Sequence, residues 1–334
     1  MFLGTQRQFG VEVEFTRNGV VTSRIAQRIT DLGVPCEVEG YNHITRSHWK
    51  IVSDASCGYE IVSPILRGED GFRQLKIVLD TLTEMGVHVN RSTGVHVHLD
   101  ANDLTALDVK NIIKRYSDNE AEIDQWFPSS RRGNNNTYCQ SVARGIYEIA
   151  GDDSSLDMQG ARVAASAVRT RFTKVNLASL TRYGTIEFRQ HAGSTDYAKI
   201  SNWILFLQHF VEQSRKVKTG AGPCVSVRRI KNRVYDEVRS QVEAAGGTMR
   251  HAGKQNWKVT GPNGQTHTYT IEQLDALYVG NPYRGRNRRL DAQAMAAFWT
   301  TVMGATDVVD SSLNGGVPTS VVEFFDQRRA ALAA

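Results

Sequence analysis

The sequence predicts an α+β fold: a largely antiparallel sheet with helices packed on one of its faces, followed by a small basic α+β module. Three observations carry this expectation. Short segments such as FGVEVEF (9–15) and GVHVHLD (94–100) alternate aliphatic and ionisable residues with the two-residue period of a strand, so each has an apolar and a polar face. Longer segments, of which 199–216 is the most apolar, carry their hydrophobic residues at helical spacing. Strands and helices follow no regular βαβ rhythm, and sheets with one polar face belong to antiparallel order.

The elements follow in order. Residues 9–15 put Val11 and Val13 on one strand face and Glu12 and Glu14 on the other. Residues 22–32 read as a helix stopped by Gly33, and HWKIVSDAS with YEIVSP (48–64) as two strands around a turn at 55–58. Phe72, Leu75, Val78, Leu79, Leu82 and Met85 recur at helical spacing, with Gly86 placed to end that helix. A short strand is expected at 87–89, then a turn through NRSTG, then a strand with His96 and His98 on one face and Val95, Val97 and Leu99 on the other. A helical region from about 103 to 126 stops before Pro128. Residues 129–160 are loop-rich, with a short helix near 138–149. FTKVNL and GTIEFRQH (172–191) read as a strand pair joined by a Tyr-Gly turn, and 199–216 as a helix.

TGAGP (219–223) is the linker candidate, which divides the chain into domains 1–216 and 217–334. Beyond it come a helix over 226–244, a hairpin over NWKVTGPNGQTHTYT turning at Pro-Asn-Gly, a helix from Ile271, the run YRGRNRRL and a last helical region. Residues 1–215 hold 24 Lys/Arg against 25 Asp/Glu, and residues 216–334 hold 16 against 10, so the net charge of +5 belongs to the C-terminal module. Only that module invites an anionic partner, through Arg284, Arg286, Arg288 and Arg289; a solvated surface is the alternative. Trp257 and Trp299 are expected as core anchors. No run of 18 apolar residues is present, so no membrane partner is expected. The N-terminal residues lack a secretory pattern, and Cys36, Cys57, Cys139 and Cys224 form no CxxC pair. Both features fit reduced thiols in the cytoplasm and speak against a structural zinc site.

The polar strand faces carry the chemistry. Glu12 with Glu14, His96 with His98, and Glu187 with Arg189 each share a face, and Glu60 joins from a fourth strand. Each pair alone is met on ordinary solvated faces. Together, flanked by aliphatics that fix the face, they read as a multi-carboxylate site for two Mg²⁺ or Mn²⁺ ions, with Arg189 free to meet a phosphate. A metal-dependent hydrolase is the alternative enzyme on the same residues. A nucleic-acid-associated binding protein acting through the C-terminal part is the alternative outside catalysis.

FGVEVEF, WKIVSDASCGYEIVSP, GVHVHLD and KVNLASLTRYGTIEFRQHAGSTDYAKISNWILFL occur in that order over about residues 8–215. Together they resemble the amidoligase family, carboxylate–amine ligases related to glutamine synthetase and glutamate–cysteine ligase. The resemblance implies a glutamine synthetase-like sheet that binds ATP and two or more Mg²⁺ ions, and a reaction in which a carboxylate becomes an acyl phosphate that an amine then displaces. Its partners would be a carboxylate and an amine, small molecule, peptide or protein, and an oligomer is compatible with it. By motif position, Glu12, Glu14, Glu60, His96 and Glu187 resemble metal ligands. His98 and Arg189 resemble the groups that face the ATP phosphates and act in transfer. Asp54 and Ser56 resemble a polar loop near the amine, with Asp54 taking its proton, although Asp-x-Ser is also an ordinary turn. Asn176 is placed near the carboxylate substrate. His191 is expected to share the metal face by continued alternation, and Arg131 and Arg132 to cap the site from the 129–160 loop, or else to lie on a solvated basic loop.

Overall fold

Alternating apolar residues build one continuous core because every strand turns the same face to the helices. The computed structural model describes residues 2–19, 21–142, 171–215, 239, 242–243, 246–253, 256–270, 278–279, 289–290 and 313–333. In chain order the first region comprises β1 (Phe9–Phe15), α1 (Thr22–Asp31), β2 (Cys36–Val38), β3 (Trp49–Asp54), β4 (Gly58–Val62), α2 (Gly68–Glu84), β5 (Gly94–Asp100) and α3 (Ala106–Asp124). A single 3-10 turn at Ser129–Arg131 follows, then β6 (Val175–Asn176), α4 (Ala178–Tyr183), β7 (Thr185–Ala192) and α5 (Tyr197–Arg215). Seven strands form one sheet in the order β2-β3-β4-β1-β5-β7-β6, and every pairing is antiparallel except β2 with β3. The α+β expectation thus holds, with one parallel edge strand that CEV was too short to announce.

Val11, Val13, Val95, Val97, Leu99, Ile61 and Phe188 face the helices and are buried with Leu75, Leu79, Ile112, Trp203 and Phe210. Fully burying such a side chain contributes about 1.5–3 kcal/mol each, which is why the strand faces are so strictly assigned. Helix α3 starts at a capping box: the Thr105 hydroxyl accepts from the Asp108 amide at 3.2 Å, and the Asp108 carboxylate accepts from the Thr105 amide at 2.8 Å. Gly86 adopts a left-handed φ of 67° just past α2, the stop its position suggested.

Two local expectations differ. Residues 87–89 are not a strand; the His88 carbonyl instead accepts from the Thr16 amide beside the end of β1. The Tyr-Gly dipeptide is no hairpin turn. LASLTRY closes a short helix, α4, and Gly184 caps it at φ 68° before β7 begins. The strand pair expected over 172–191 is therefore β6 and β7 with a helix between them.

In the C-terminal part, β8 (Thr248–His251), β9 (Asn256–Thr260) and β10 (Thr266–Thr270) form a three-stranded antiparallel sheet, with the expected hairpin turning through Pro262 and Asn263. β11 (Tyr278–Val279) pairs with β12 (Arg289–Leu290). Trp257 is buried, with the Arg239 guanidinium 5.5 Å from its ring centre. The final helix, α6 (Thr319–Ala333), returns to the first region: Phe325 stacks on Trp126 at 4.4 Å, and Leu313 and Val321 join the main core. Part of the segment assigned to the basic module thus packs on the sheet-bearing region. The TGAGP linker, most of the 226–244 helix, Arg284, Arg286, Arg288, Trp299 and the 143–160 part of the expected covering loop lie outside the described residues. No helix among the described residues is long and apolar enough to cross a membrane.

Candidate active site

The face of the sheet turned away from the helices carries three rows of ionisable groups. In the first, Glu12 stands between Val62 on β4 and His96 on β5, and Val62 faces Lys50 on β3. In the second, Glu14 faces Glu60, which faces Val52. In the third, Gly10 faces His98, His98 faces Glu187 on β7, and Glu187 faces Asn176 on β6. Strands lie about 4.8 Å apart, so this register brings groups from distant parts of the chain within bonding reach.

The contacts are dense. His96 Nδ1 lies 3.1 Å from Glu12 and 3.7 Å from Glu187, and its Nε2 lies 3.7 Å from Glu14. His98 Nε2 lies 3.5 Å from Glu12 and 3.9 Å from Glu187, while its Nδ1 meets the Thr185 hydroxyl at 2.9 Å. Arg189 donates to Glu187, whose other oxygen accepts from the Asn176 amide at 2.6 Å. The Gly94 amide donates to Glu14 at 2.6 Å.

The electrostatics follow from crowding. Burial acts to raise the Glu12 carboxyl, but the facing His96 and His98 outweigh it and hold the group well below the usual range. Burial likewise opposes ionisation of Glu187, and Arg189, His98 and His96 reverse it. Burial lowers His98, yet the opposed Glu12 and Glu187 carboxylates leave it raised. For Glu60 the nearby Lys50 is outweighed: burial, then Glu12, Asp54 and Glu14, push it up to about 9. Four carboxylates, Glu12, Glu14, Glu60 and Glu187, thus crowd together on this face.

A group of three ligand atoms, one each from Glu12, His98 and Glu187, falls within 4.8 Å of one another. His98 Nε2 is buried without a hydrogen-bond partner, and it points at those two carboxylates. Carboxylate oxygens with one imidazole suit a hard divalent cation. The donor set therefore fits Mg²⁺ or Mn²⁺. The tight group contains His98, where the family resemblance implied His96; His96 instead bridges Glu12, Glu14 and Glu187.

Arg131 reaches the same face. It is 4% exposed, donates to the Thr93 carbonyl, and leaves its Nε unpartnered. A Cβ on Gly94 would meet its two terminal nitrogens at 3.2 and 3.3 Å and His96 Nε2 at 3.3 Å, so the bare glycine gives this guanidinium and His96 room beside the strand. Arg132 is not brought to the site; its Nε donates to the Phe127 carbonyl at 2.7 Å. His191 is on the wrong face. Val97 pairs with Phe188 but Val95 pairs with His191, so β7 carries one extra residue there. That bulge breaks the alternation, turning His191 onto Phe127 and Trp203 in the core, where burial first, then Arg328, pushes it down to about 3.

Asp54 and Ser56 line the cavity above this face, but Asp54 Oδ1 accepts from the Ser56 amide at 2.6 Å, from its hydroxyl at 2.5 Å and from the Cys57 amide at 3.1 Å. Burial opposes this carboxylate's ionisation, and the turn's bonds outweigh that and lower it. Asn176 has both ends of its amide engaged, by Glu187 and the Ala178 amide, and so positions Glu187.

Two cavities open over the rows. The larger, about 560 Å³, is lined by Glu12, Glu14, Asp54, Glu60, Glu187 and Arg189, and also by Arg17, Arg171 and Arg182. The smaller, about 160 Å³, shares Glu12, Glu60 and His98, has the flat backbone of Gly10 in its wall, and adds Val62, Ile65 and Lys50. Lys50, 3% exposed, donates to the Asn42 side chain at 2.6 Å and the Ile44 carbonyl at 2.8 Å, tying the 39–48 loop beside that cavity. Sequence reasoning missed Lys50, Arg17, Arg171 and Arg182. The available signal was weak: Arg171 precedes Phe172 and Arg182 precedes Tyr183.

Fold and face together define an α+β protein with a carboxylate–histidine cluster suited to divalent cations and guanidinium groups suited to anions. The chain belongs to the amidoligase family: the family described as "putative amidoligase enzyme" matches residues 5–211. No curated protein matches it in sequence. Among solved structures it is similar to a chain in the crystal structure of the complex between the prokaryotic ubiquitin-like protein Pup and its ligase PafA, at 12% identity and a TM-score of 0.34. That likeness covers 98% of this chain and 63% of the other, and at this level it fixes neither substrate nor partner.

Proposed function

We propose that the protein is an ATP- and Mg²⁺-dependent ligase that joins a carboxylate to an amine through an acyl phosphate. The observation that carries this reading is the gathering of the Glu12 and Glu187 carboxylates around the unpartnered His98 Nε2 on one sheet face, with the Arg131 and Arg189 guanidiniums nearby. Family membership supports amide-bond formation as the reaction class.

Glu12, Glu14, Glu60, Glu187 and one or both histidines would hold the cations, which supply charge neutralisation between ATP and the acid when bound. Arg189 and Arg131 then offer donors to phosphate oxygens from opposite sides of His96. Asn176 keeps Glu187 in place through its amide. Asp54 Oδ2 is the atom left for the proton of the incoming amine, Oδ1 being engaged in its own turn.

The test is calorimetric titration with a non-hydrolysable ATP analogue, with and without Mg²⁺. We expect Mg²⁺-dependent binding that Glu187→Gln weakens at least about 100-fold, an effect at or beyond the upper end of that for groups that merely support a metal ligand. Tight zinc uptake with no nucleotide binding would overturn the reading in favour of a hydrolase.

A further inference from the structure

The larger cavity has an acidic floor and a basic rim. Arg17, Arg171 and Arg182 are exposed and line it from three separate segments: the end of β1, the stretch before β6, and α4. Each guanidinium lies over an aromatic ring, Arg17 at 5.4 Å from the Tyr59 centre, Arg171 at 5.3 Å from Phe172 and Arg182 at 5.2 Å from Tyr183. Stacking holds an arginine's planar head in place while leaving its N–H fork free for a carboxylate. None of the three makes an ion pair among the described residues, Arg17 donating only through Nε to the Gly58 carbonyl at 3.4 Å, whereas Arg7, Arg46, Arg73 and Arg215 are each engaged by a carboxylate.

Three oriented, unpaired cations at one mouth call for an anion. ATP phosphates do not require them, because Arg189 and Arg131 stand deeper, beside the cation cluster. The acid substrate offers one: its reacting carboxylate goes to the floor of Glu12, Glu14, Glu60 and Glu187, where the cations would sit, and the three rim arginines stand apart from that floor. Further carboxylates on the same molecule would be met at the rim, fixing its orientation. A cavity of about 560 Å³ has the size of sites for drug-sized ligands, larger than a single monocarboxylate needs.

We infer that the acid substrate is a polycarboxylate, whose additional carboxylates are held by Arg17, Arg171 and Arg182. This rests on the ligase reading and deepens it. The shared chemistry admits a free di-acid or an acidic peptide segment, and the experiment separates them.

The full-length protein, loaded with Mg²⁺ and the ATP analogue, would be titrated with triglutamate, glutarate and trialanine, the last having one carboxylate. Triglutamate is expected to bind at least ten-fold more tightly than trialanine, and the gap should shrink as salt rises. The exposed double variant Arg17→Ala/Arg182→Ala should weaken triglutamate at least ten-fold while holding analogue affinity within two-fold. Glutarate binding as tightly as triglutamate would assign the site to small di-acids; triglutamate alone would assign it to acidic peptides. Either supports the inference. Equal binding of triglutamate and trialanine, or unchanged triglutamate affinity in the double variant, would overturn it. If the ATP analogue itself fails to bind the native protein, the ligase reading falls; if it binds and the acids are not discriminated, only the polycarboxylate inference falls.

Discussion

The two faces of the seven-stranded sheet both bury charge, and they treat it differently. On the helix side, Lys174 is fully buried and donates to Glu120 at 2.6 Å and Asp124 at 2.5 Å; Asp124 also accepts from Gln190 at 2.5 Å and from the Gly133 amide at 2.7 Å. Gln190 in turn accepts from Tyr116. In this network the cation sits among its counter-charges. On the polar side, His98 Nε2, Arg131 Nε and Arg189 Nε have no partner and Glu60 is pushed up to about 9. The first arrangement is what structure needs. The second stores electrostatic tension at the place where a ligand would relieve it.

The contrast can be broken by mutation. Lys174→Met leaves Glu120 and Asp124 buried without their cation and is expected to cost about 3–5 kcal/mol in denaturant unfolding. A loss under 1 kcal/mol would deny that the helix-side network is structural. His191, also on the helix side, gives a pH signature. Its folded value is depressed to about 3, so the neutral ring is favoured in the fold while the unfolded chain takes up a proton below about 6.5. Its stabilising contribution is complete above 6.5 and falls as pH drops towards 3. Between pH 7 and 5 the native protein should lose about 2 kcal/mol more than His191→Gln; parallel stability curves would contradict this. On the polar side the sign reverses. Pushed up to about 9, Glu60 is held neutral in the fold near pH 7 while the unfolded chain ionises it, so Glu60→Gln removes that cost and should raise cation-free stability by at least about 1 kcal/mol while weakening Mg²⁺ binding. A clear loss of stability would show that Glu60 is a structural group.

Much of this division was legible in the sequence. Two-residue alternation in FGVEVEF and GVHVHLD assigned Glu12, Glu14, His96 and His98 to one face, because those strands are regular and one side is strictly aliphatic. Alternation failed at His191, since a bulge is set by how β7 meets β5 and not by residue type. Asn176, expected at the carboxylate substrate, donates to Glu187, a neighbour known only once β6 pairs with β7. Arg131 and Arg132 were indistinguishable as neighbours in a loop. The 3-10 turn sends the first over Gly94 and the second to the Phe127 carbonyl. The rim arginines were beyond reach because their common property, one cavity, exists only after three distant segments meet.

The central claim is that the polar face is built to hold divalent cations through Glu12, Glu187 and their histidines. The most direct measurement is the melting temperature with and without Mg²⁺, for the native protein and Glu187→Gln. At about 100 times the dissociation constant, a cation bound only by the folded state adds about 2.7 kcal/mol. The account predicts a rise of several degrees in the native protein that disappears in Glu187→Gln. An equal rise in both proteins, or none in the native one, would contradict it.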